Sequence, residues 1–413
     1  MGCGHRAGTR EFRRISAALL FAGAGTFVLL YAVQGLLPSF ARTYGVSPTV
    51  SSLTLSLATG ALALAILPVS ALAESRARKR VLSLSLSAAA VLGLLAPLAP
   101  TFGVLLGIRT LQGLAMAGVP ALAMAHLSQE VHPRSLGRAM GLFIAGNTAG
   151  GLSGRVIATA VADVAGWRVA LAVVGLVSLG CLVLFRVLVP EPLREPPAAR
   201  PCRVLLGQLR GHLADRAVRR VCLVSFLLMA AFVSVYNYLG FRLMAEPFGL
   251  PQAVVGLVFL AYLAGTASST TAGALGDRFG RLPVLAAGIG LTLIGAVLSL
   301  PSSLPLVLGA LVVITVGFFA AHSSASSWLG HRVTTAPAQA SALYLFCYYA
   351  GSSVGGTTGG LAFEVARWPG LVGFVVALQV TALAATGLLW RSVRRKGRQP
   401  APHGRSTTGN PLT

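Results

Sequence analysis

Acidic residues are scarce in this chain. Only 10 of its 413 residues are Asp or Glu, against 33 Lys or Arg, and charged residues of all kinds make up 10%. A soluble domain carries roughly 25% charged residues. So little charge, beside 55% hydrophobic residues, excludes an ordinary soluble protein. The acids are Glu11, Glu74, Glu130, Asp163, Glu191, Glu195, Asp215, Glu246, Asp277 and Glu364. All fall at or near the ends of apolar runs, and none lies in the middle of one. Lys is nearly absent, so Arg supplies the positive charge. No basic patch with interleaved aromatics forms a nucleic-acid module, and no nucleic-acid partner is expected. The five cysteines, Cys3, Cys181, Cys202, Cys222 and Cys347, match no metal-ligand spacing, and free thiols are expected. There is no zinc pattern, nucleophile elbow or phosphate-cradling loop. No enzyme, metal or cofactor is expected.

What the chain has is a series of apolar runs of about 20 residues, long enough to cross a bilayer. Continuous runs argue for helices rather than a barrel, because every backbone group in lipid needs an internal partner. Twelve spans are expected, at 15–38, 49–72, 81–100, 102–127, 137–161, 168–189, 221–243, 252–275, 282–300, 303–326, 336–362 and 370–391. Pro38, Pro48, Pro100, Pro251, Pro301 and Pro369 punctuate the ends. The first run is too long for a signal peptide and reads as a retained helix. Met1-Gly2-Cys3 opens like a lipidation site, but Arg6 stands where the myristoylation pattern has Ser or Thr.

With the N-terminus inside, inner segments hold 27 Lys and Arg and outer segments hold 4. The positive-inside rule then places both termini in the cytoplasm. The organisation expected is a tail at 1–14, a six-helix bundle at 15–189, a Pro- and Arg-rich linker at 190–220, a second bundle at 221–391 and a disordered tail at 392–413. A stretch around Val204–Val218 in the linker is amphipathic and suits a membrane surface.

Two motifs recur. Gly273-Ala274-Leu275-Gly276-Asp277-Arg278-Phe279-Gly280-Arg281-Leu282-Pro283-Val284-Leu285 is a charged turn after span eight, and a weaker copy runs from Ser70 to Leu82 after span two. Asp277 and Glu74 are 203 residues apart. Ala145-Gly146-Asn147-Thr148-Ala149-Gly150-Gly151-Leu152-Ser153-Gly154 recurs as Ala350-Gly351-Ser352-Ser353-Val354-Gly355-Gly356-Thr357-Thr358-Gly359, 205 residues on. A tandem duplication follows.

The Asp277 turn, the six-plus-six spans and the central linker resemble the major facilitator superfamily over essentially the whole chain. The resemblance implies an all-α membrane fold of twelve transmembrane helices in two pseudo-symmetric halves, with the substrate site between them near the midplane. The first turn departs from the family pattern at Ser70, Glu74, Ser75 and Ala77. Gly273 is expected to allow close helix approach. Asp277 can accept from Arg278 or Arg281, or meet the positive start of a neighbouring helix. The resemblance makes that neighbour the start of span eleven for Asp277, and the start of span five for Glu74. Such a latch, with Arg78 and Gly280, would favour one access state. The plain alternative is a tight positive turn.

Gly146, Gly150 and Gly154, with Gly151 beside them, and Gly351, Gly355 and Gly359 form small-residue stripes that permit close helix contact. In the family, spans five and eleven face spans eight and two across the moving interface. The span-five row also resembles the glycine motif of drug:proton antiporters, without its proline. Arg109, Gln112 and Gly113 resemble the R-x-x-Q-G signature, which implies a part in proton coupling. The alternative is an Arg reaching the outer surface. Arg155 stands where the second repeat has Gly360. It suits either an anionic group or an ion pair with Asp163.

Polar and aromatic residues deep in spans are candidates for a cavity: Tyr31, Gln34, Asn147, Arg155, Tyr236, Asn237, Tyr344, Tyr348 and Gln379. Any one of them is as readily a helix–helix contact. The acid-free middle fits neutral or anionic cargo better than cationic drugs. Proton coupling would then use a peripheral carboxylate, His126 or His322. The stretch Tyr31–Pro38 with Tyr44–Pro48 also resembles bacterial arabinose-efflux-like permeases. The reading is therefore an inner-membrane transporter that moves a small solute by alternating access, working as a monomer. Proton-coupled efflux comes first. An uncoupled facilitator or importer of a neutral or anionic solute, and a transport-inactive sensor, stay open.

Overall fold

A computed structural model describes residues 4–71, 78–191 and 202–397. Among these residues there is no strand, only one parallel bridge between His5 and Val131. Ten continuous helices are long and apolar enough to cross a membrane. Two of them are double. Pro133–Leu188 runs for 56 residues, about 84 Å if straight against a hydrocarbon core of about 30 Å. It breaks at Gly166, whose φ of 81° is left-handed. Pro337–Gly397 breaks at Ala366 and Arg367. Each therefore crosses twice, and the ten helices make twelve spans.

Spans one to four are Arg10–Tyr44, Pro48–Ser70, Arg78–Leu98 and Phe102–Glu130. Spans five and six lie before and after Gly166. Spans seven to ten are Arg216–Met244, Gln252–Phe279, Arg281–Leu298 and Leu304–Arg332, and spans eleven and twelve lie on either side of Ala366–Arg367. Hydroxyls and one carboxylate cap several starts. Thr9 accepts from Phe12 N–H, Thr101 from Val104 N–H and Asp215 from Ala217 N–H, which satisfies donors a helix start leaves free.

Some boundaries differ from the expected ones. Span one starts at Arg10, inside the stretch read as a tail, because Thr9 caps it there. His5 N–H donates to the Glu130 carbonyl and Ala7 N–H to Ser135 Oγ, so this stretch is tied to the turn between spans four and five. Span seven starts at Arg216, since Asp215 ends the linker helix Cys202–Ala214 and caps the next. The stretch around Val204–Val218 is thus two helices, not one. The last helix continues to Gly397, beyond the expected tail boundary at 392.

Spans one and seven are the most buried of the spans. They stand at the middle of their halves. Outward-facing Leu64, Leu98, Val187 and Val365 are exposed, as lipid-facing residues must be.

The glycine rows explain how spans one and seven are held. A Cβ at Gly146, Gly150 or Gly154 would run into the backbone of Leu20, Ala24 or Val28 in span one. A Cβ at Gly351, Gly355 or Gly359 would meet Phe226, Ala230 or Ser234 in span seven. The rows therefore pack inside each half, against spans one and seven, and not on spans eight and two. The next glycines along span eleven take that other face. Gly356 meets Ser56, and Gly360 meets Thr49, both on span two.

Candidate functional site

Arg155 sits on span five and is 2% exposed. Its Nε–H donates to Gln34 Oε1 at 2.7 Å, one terminal nitrogen to the Gly151 carbonyl at 2.8 Å, and the other to the Tyr262 hydroxyl at 3.1 Å. Its guanidinium lies 4.2 Å from the Tyr31 ring centre, 4.5 Å from that of Tyr262 and 5.2 Å from that of Phe259. Cation–π contacts at such distances stabilise a desolvated guanidinium by about 2 kcal/mol. A Cβ at Gly151 would only reach ordinary contact, 3.4 Å from the guanidinium and 3.5 Å from Tyr31, so the Arg155 site does not itself require glycine there.

Gln34 carries the network onward. Its Nε2 donates to Asn237 Oδ1 on span seven at 2.7 Å. Arg155, Gln34 and Asn237 thus link spans five, one and seven, and Tyr262 adds span eight. The bonds cross between the halves at mid-membrane. Arg155 does not pair with Asp163. Helix continues past both residues to Gly166, and Asp163 accepts from the backbone N–H of Gln252 instead.

Asp163 belongs to a second feature, which the sequence reading passed over. At one end of the bundle two carboxylates reach across the halves to helix starts. Asp163 on span five meets Gln252 N–H on span eight at 3.1 Å, and Glu364 on span eleven meets Thr49 N–H on span two at 3.0 Å. A carboxylate at a helix start is favoured by both the free N–H groups and the helix dipole. The receiving residues each follow a proline and lie 203 residues apart, while the carboxylates lie 201 apart, one turn short of the glycine offset of 205. That repetition was the available signal. The Gln252 side chain adds bonds to Ser39 and to the Gly35 carbonyl, at 2.7 and 2.9 Å.

The Asp277 turn lies at the opposite, Arg-rich end. Asp277, whose side chain is 73% exposed, pairs with Arg281 at 3.1 Å. Arg281 also donates to Ser327 Oγ at 2.8 Å and meets His331 at 3.0 Å. Gly280, with φ of 92°, makes the break between spans eight and nine. Arg278 lies over Phe279. Asp277 meets Arg281 in its own half, not the start of span eleven, and nothing lies within 4 Å of a Cβ at Gly273. Close approach is therefore not what Gly273 provides in this state. Arg78 is buried, and Glu74 lies outside the described residues.

Arg109 is buried in the first half. It donates to the carbonyls of Thr54, Leu29 and Leu30 at 3.0–3.2 Å and to Gln112 Oε1. Gln112 donates to the Ala89 carbonyl, and Gly113 lies against the backbone of Ala58. The signature ties span four to spans one, two and three. It does not reach the surface, and no carboxylate among the described residues joins it.

Of the other candidates, three tyrosines extend the aromatic side of the Arg155 centre, and Asn147 and Gln379 stand apart from it. Tyr236 bonds Thr315 at 2.6 Å and stacks beside Phe259 and Tyr262. Tyr344 bonds His322 at 3.0 Å, and Tyr348 lies against the same imidazole. Phe232 and Phe318 connect these rings to Tyr262. Asn147 lies over Gly23, two turns before Arg155. Gln379 is fully buried, and neither amide atom has a partner among the described residues.

The family model described as Major Facilitator Superfamily matches residues 19–242 and 221–411. The chain is 41% identical over 376 residues to the inner membrane transport protein YnfM of Escherichia coli, covering 91% of this chain and 90% of that one. It is 39% identical over 389 residues to the MFS-type transporter YybF of Bacillus subtilis, covering 94% and 96%. Among solved structures, a bacterial homologue of the human lysosomal transporter Spinster superposes with a TM-score of 0.77 at 16% identity, covering 95% of this chain and 99% of that one. A D-xylose–proton symporter superposes at 0.69 with 15% identity, covering 92% and 97%.

Proposed function

The chain belongs to the major facilitator superfamily, and on that premise we propose that it exports a small solute by proton-coupled alternating access. It is a multi-pass membrane transporter rather than an enzyme. The observation that carries alternating access is the pair of carboxylate-to-helix-start bonds, Asp163 to Gln252 and Glu364 to Thr49, which among the described residues lie at one end. The opposite, Arg-rich end has its charged turn paired inside one half. With the Arg-rich loops in the cytoplasm, this is the state closed to the outside. Solute would enter from the cytoplasm and leave when the two outer bonds break.

Asp163 and Glu364 are exposed and join the halves. Carboxylates that join the halves are groups through which proton movement would be coupled to opening. That supports antiport. The acid-free centre around Arg155 supports a second reading, an uncoupled facilitator.

Proteoliposomes with a pH-sensitive dye inside separate these readings. Antiport requires that a solute dissipate an imposed proton gradient and that Asp163→Asn with Glu364→Gln uncouple the two. Solute equilibration with no proton signal would leave the facilitator.

A further inference from the structure

The network around Arg155 holds more donors than acceptors. A planar guanidinium carries more N–H groups than the three acceptors on Arg155 can take up. Asn237 is 1% exposed, and its Nδ2 has no partner among the described residues. Ser56, also 1% exposed, has a hydroxyl with no partner among the described residues. These last two groups converge. Asn237 Nδ2 and Ser56 Oγ lie 3.0 and 2.8 Å from the place a Cβ would take at Gly356. A side chain at 356 would collide with both, so the bare backbone of Gly356 is what lets an amide of one half and a hydroxyl of the other come together here. Buried donors without acceptors are costly, and a buried cation at mid-membrane is costlier.

The two repeats differ here in a directed way. Arg155 corresponds to Gly360, 205 residues on, while Phe259 and Tyr262 correspond to Ser56 and Thr59, 203 residues back. One side of the centre is a cation among aromatic rings. The other is hydroxyls facing bare glycine. A group that completes this arrangement must bring acceptors and one negative charge.

We infer that Arg155 binds the carboxylate of a small organic monoanion, and that Asn237 donates to a second acceptor beside it, such as an α-hydroxyl or keto oxygen. This names the cargo class of the transporter proposed above and rests on that reading. A single guanidinium balances a single negative charge, which disfavours dianions. Amino acids are disfavoured too, because no described carboxylate joins the network to receive an ammonium group. Gln34 positions both donors, holding Arg155 with its oxygen and Asn237 with its nitrogen.

The test is thermal unfolding of the full-length chain in nanodiscs, at constant ionic strength, with matched acids and amides. The pairs are acetate and acetamide, lactate and lactamide, and benzoate and benzamide, with alanine beside them. The acids are expected to raise the unfolding temperature and the amides and alanine are not. Arg155→Gln is expected to weaken acid binding about 10- to 100-fold, the range of one charge-assisted hydrogen bond. Asn237→Ala leaves the guanidinium in place, and is expected to weaken lactate more than acetate. Equal protection by acids and amides, no protection by any acid, or unchanged binding in both variants would overturn the inference. Access is read separately, by labelling Ser39→Cys from outside in a chain without its native cysteines. If neutral solutes change that labelling and acids do not, alternating access stands and the anion site falls. If acids bind through Arg155 while labelling never changes, the anion site stands and the access reading falls.

Discussion

Glu364 accepts the backbone N–H of Thr49 at 3.0 Å, and with that bond the end of span eleven holds the start of span two. The two residues are 315 positions apart and belong to different halves. Asp163 and Gln252 repeat the arrangement between spans five and eight. The carboxylate-to-helix-start latch expected at the Asp277 turn is therefore present in this state at the other end of the bundle.

Removing both of these carboxylates should open that end. In Asp163→Asn with Glu364→Gln, labelling of Ser39→Cys by a membrane-impermeant thiol reagent is expected to rise several-fold. Ser39 is buried and bonded to Gln252 in the closed state. An exposed carboxylate at a helix start is worth only about 0.3–1 kcal/mol, so the double variant is the informative one. Unchanged labelling would show that apolar packing alone holds the end shut.

Arg109 should behave as a fastener of the first half. Arg109→Ala leaves Gln112 without its guanidinium partner and strips three backbone carbonyls of a donor. Losing several buried charge-assisted bonds, each worth about 1.5–3 kcal/mol, should give a clearly lower unfolding temperature in detergent. Arg109→Lys keeps the charge but cannot reach four acceptors, and should fall nearly as far. A variant that stays fully stable and loses only proton coupling would favour the coupling role implied by the family signature.

The glycines divide into two classes. Gly150→Val and Gly355→Val push a branched side chain into the backbone of Ala24 or Ala230, where helices cannot separate without losing a half. Both should fail to yield folded protein, or lose well over the 1–3 kcal/mol of ordinary overpacking. Gly273→Ala meets nothing within 4 Å and should stay within about 0.5 kcal/mol of wild type. Thermal stability of the three variants in one detergent checks this.

Asp277→Asn breaks one exposed ion pair within a half. Its effect on stability in this state should be under about 1 kcal/mol. A large drop in transport rate beside that small stability change would place Asp277 at a contact formed only in the opposite access state. Unchanged transport would leave it a surface turn.

Much of this protein follows from one-dimensional spacing. Apolar runs long enough to cross lipid, ended by Pro48, Pro251 and Pro369, fix the number of spans, because an unpaired backbone cannot end inside a bilayer. Glycines every fourth residue on spans five and eleven fix a flat stripe on each, since that spacing stays on one helix face. Arg155 stands out from sequence alone because its repeat mate is Gly360. Spacing cannot say which helix lies against a face. So the glycine stripes, expected at the moving seam, instead grip spans one and seven, and Gly356 and Gly360, one residue further on, take the seam. Nor can spacing choose among partners. Arg155 and Asp163 lie eight residues apart on one helix, yet Arg155 turns to Gln34 and Tyr262, and Asp163 to the start of span eight. Those contacts join residues roughly a hundred or more positions apart, and only the packing of the two halves brings them within hydrogen-bond distance.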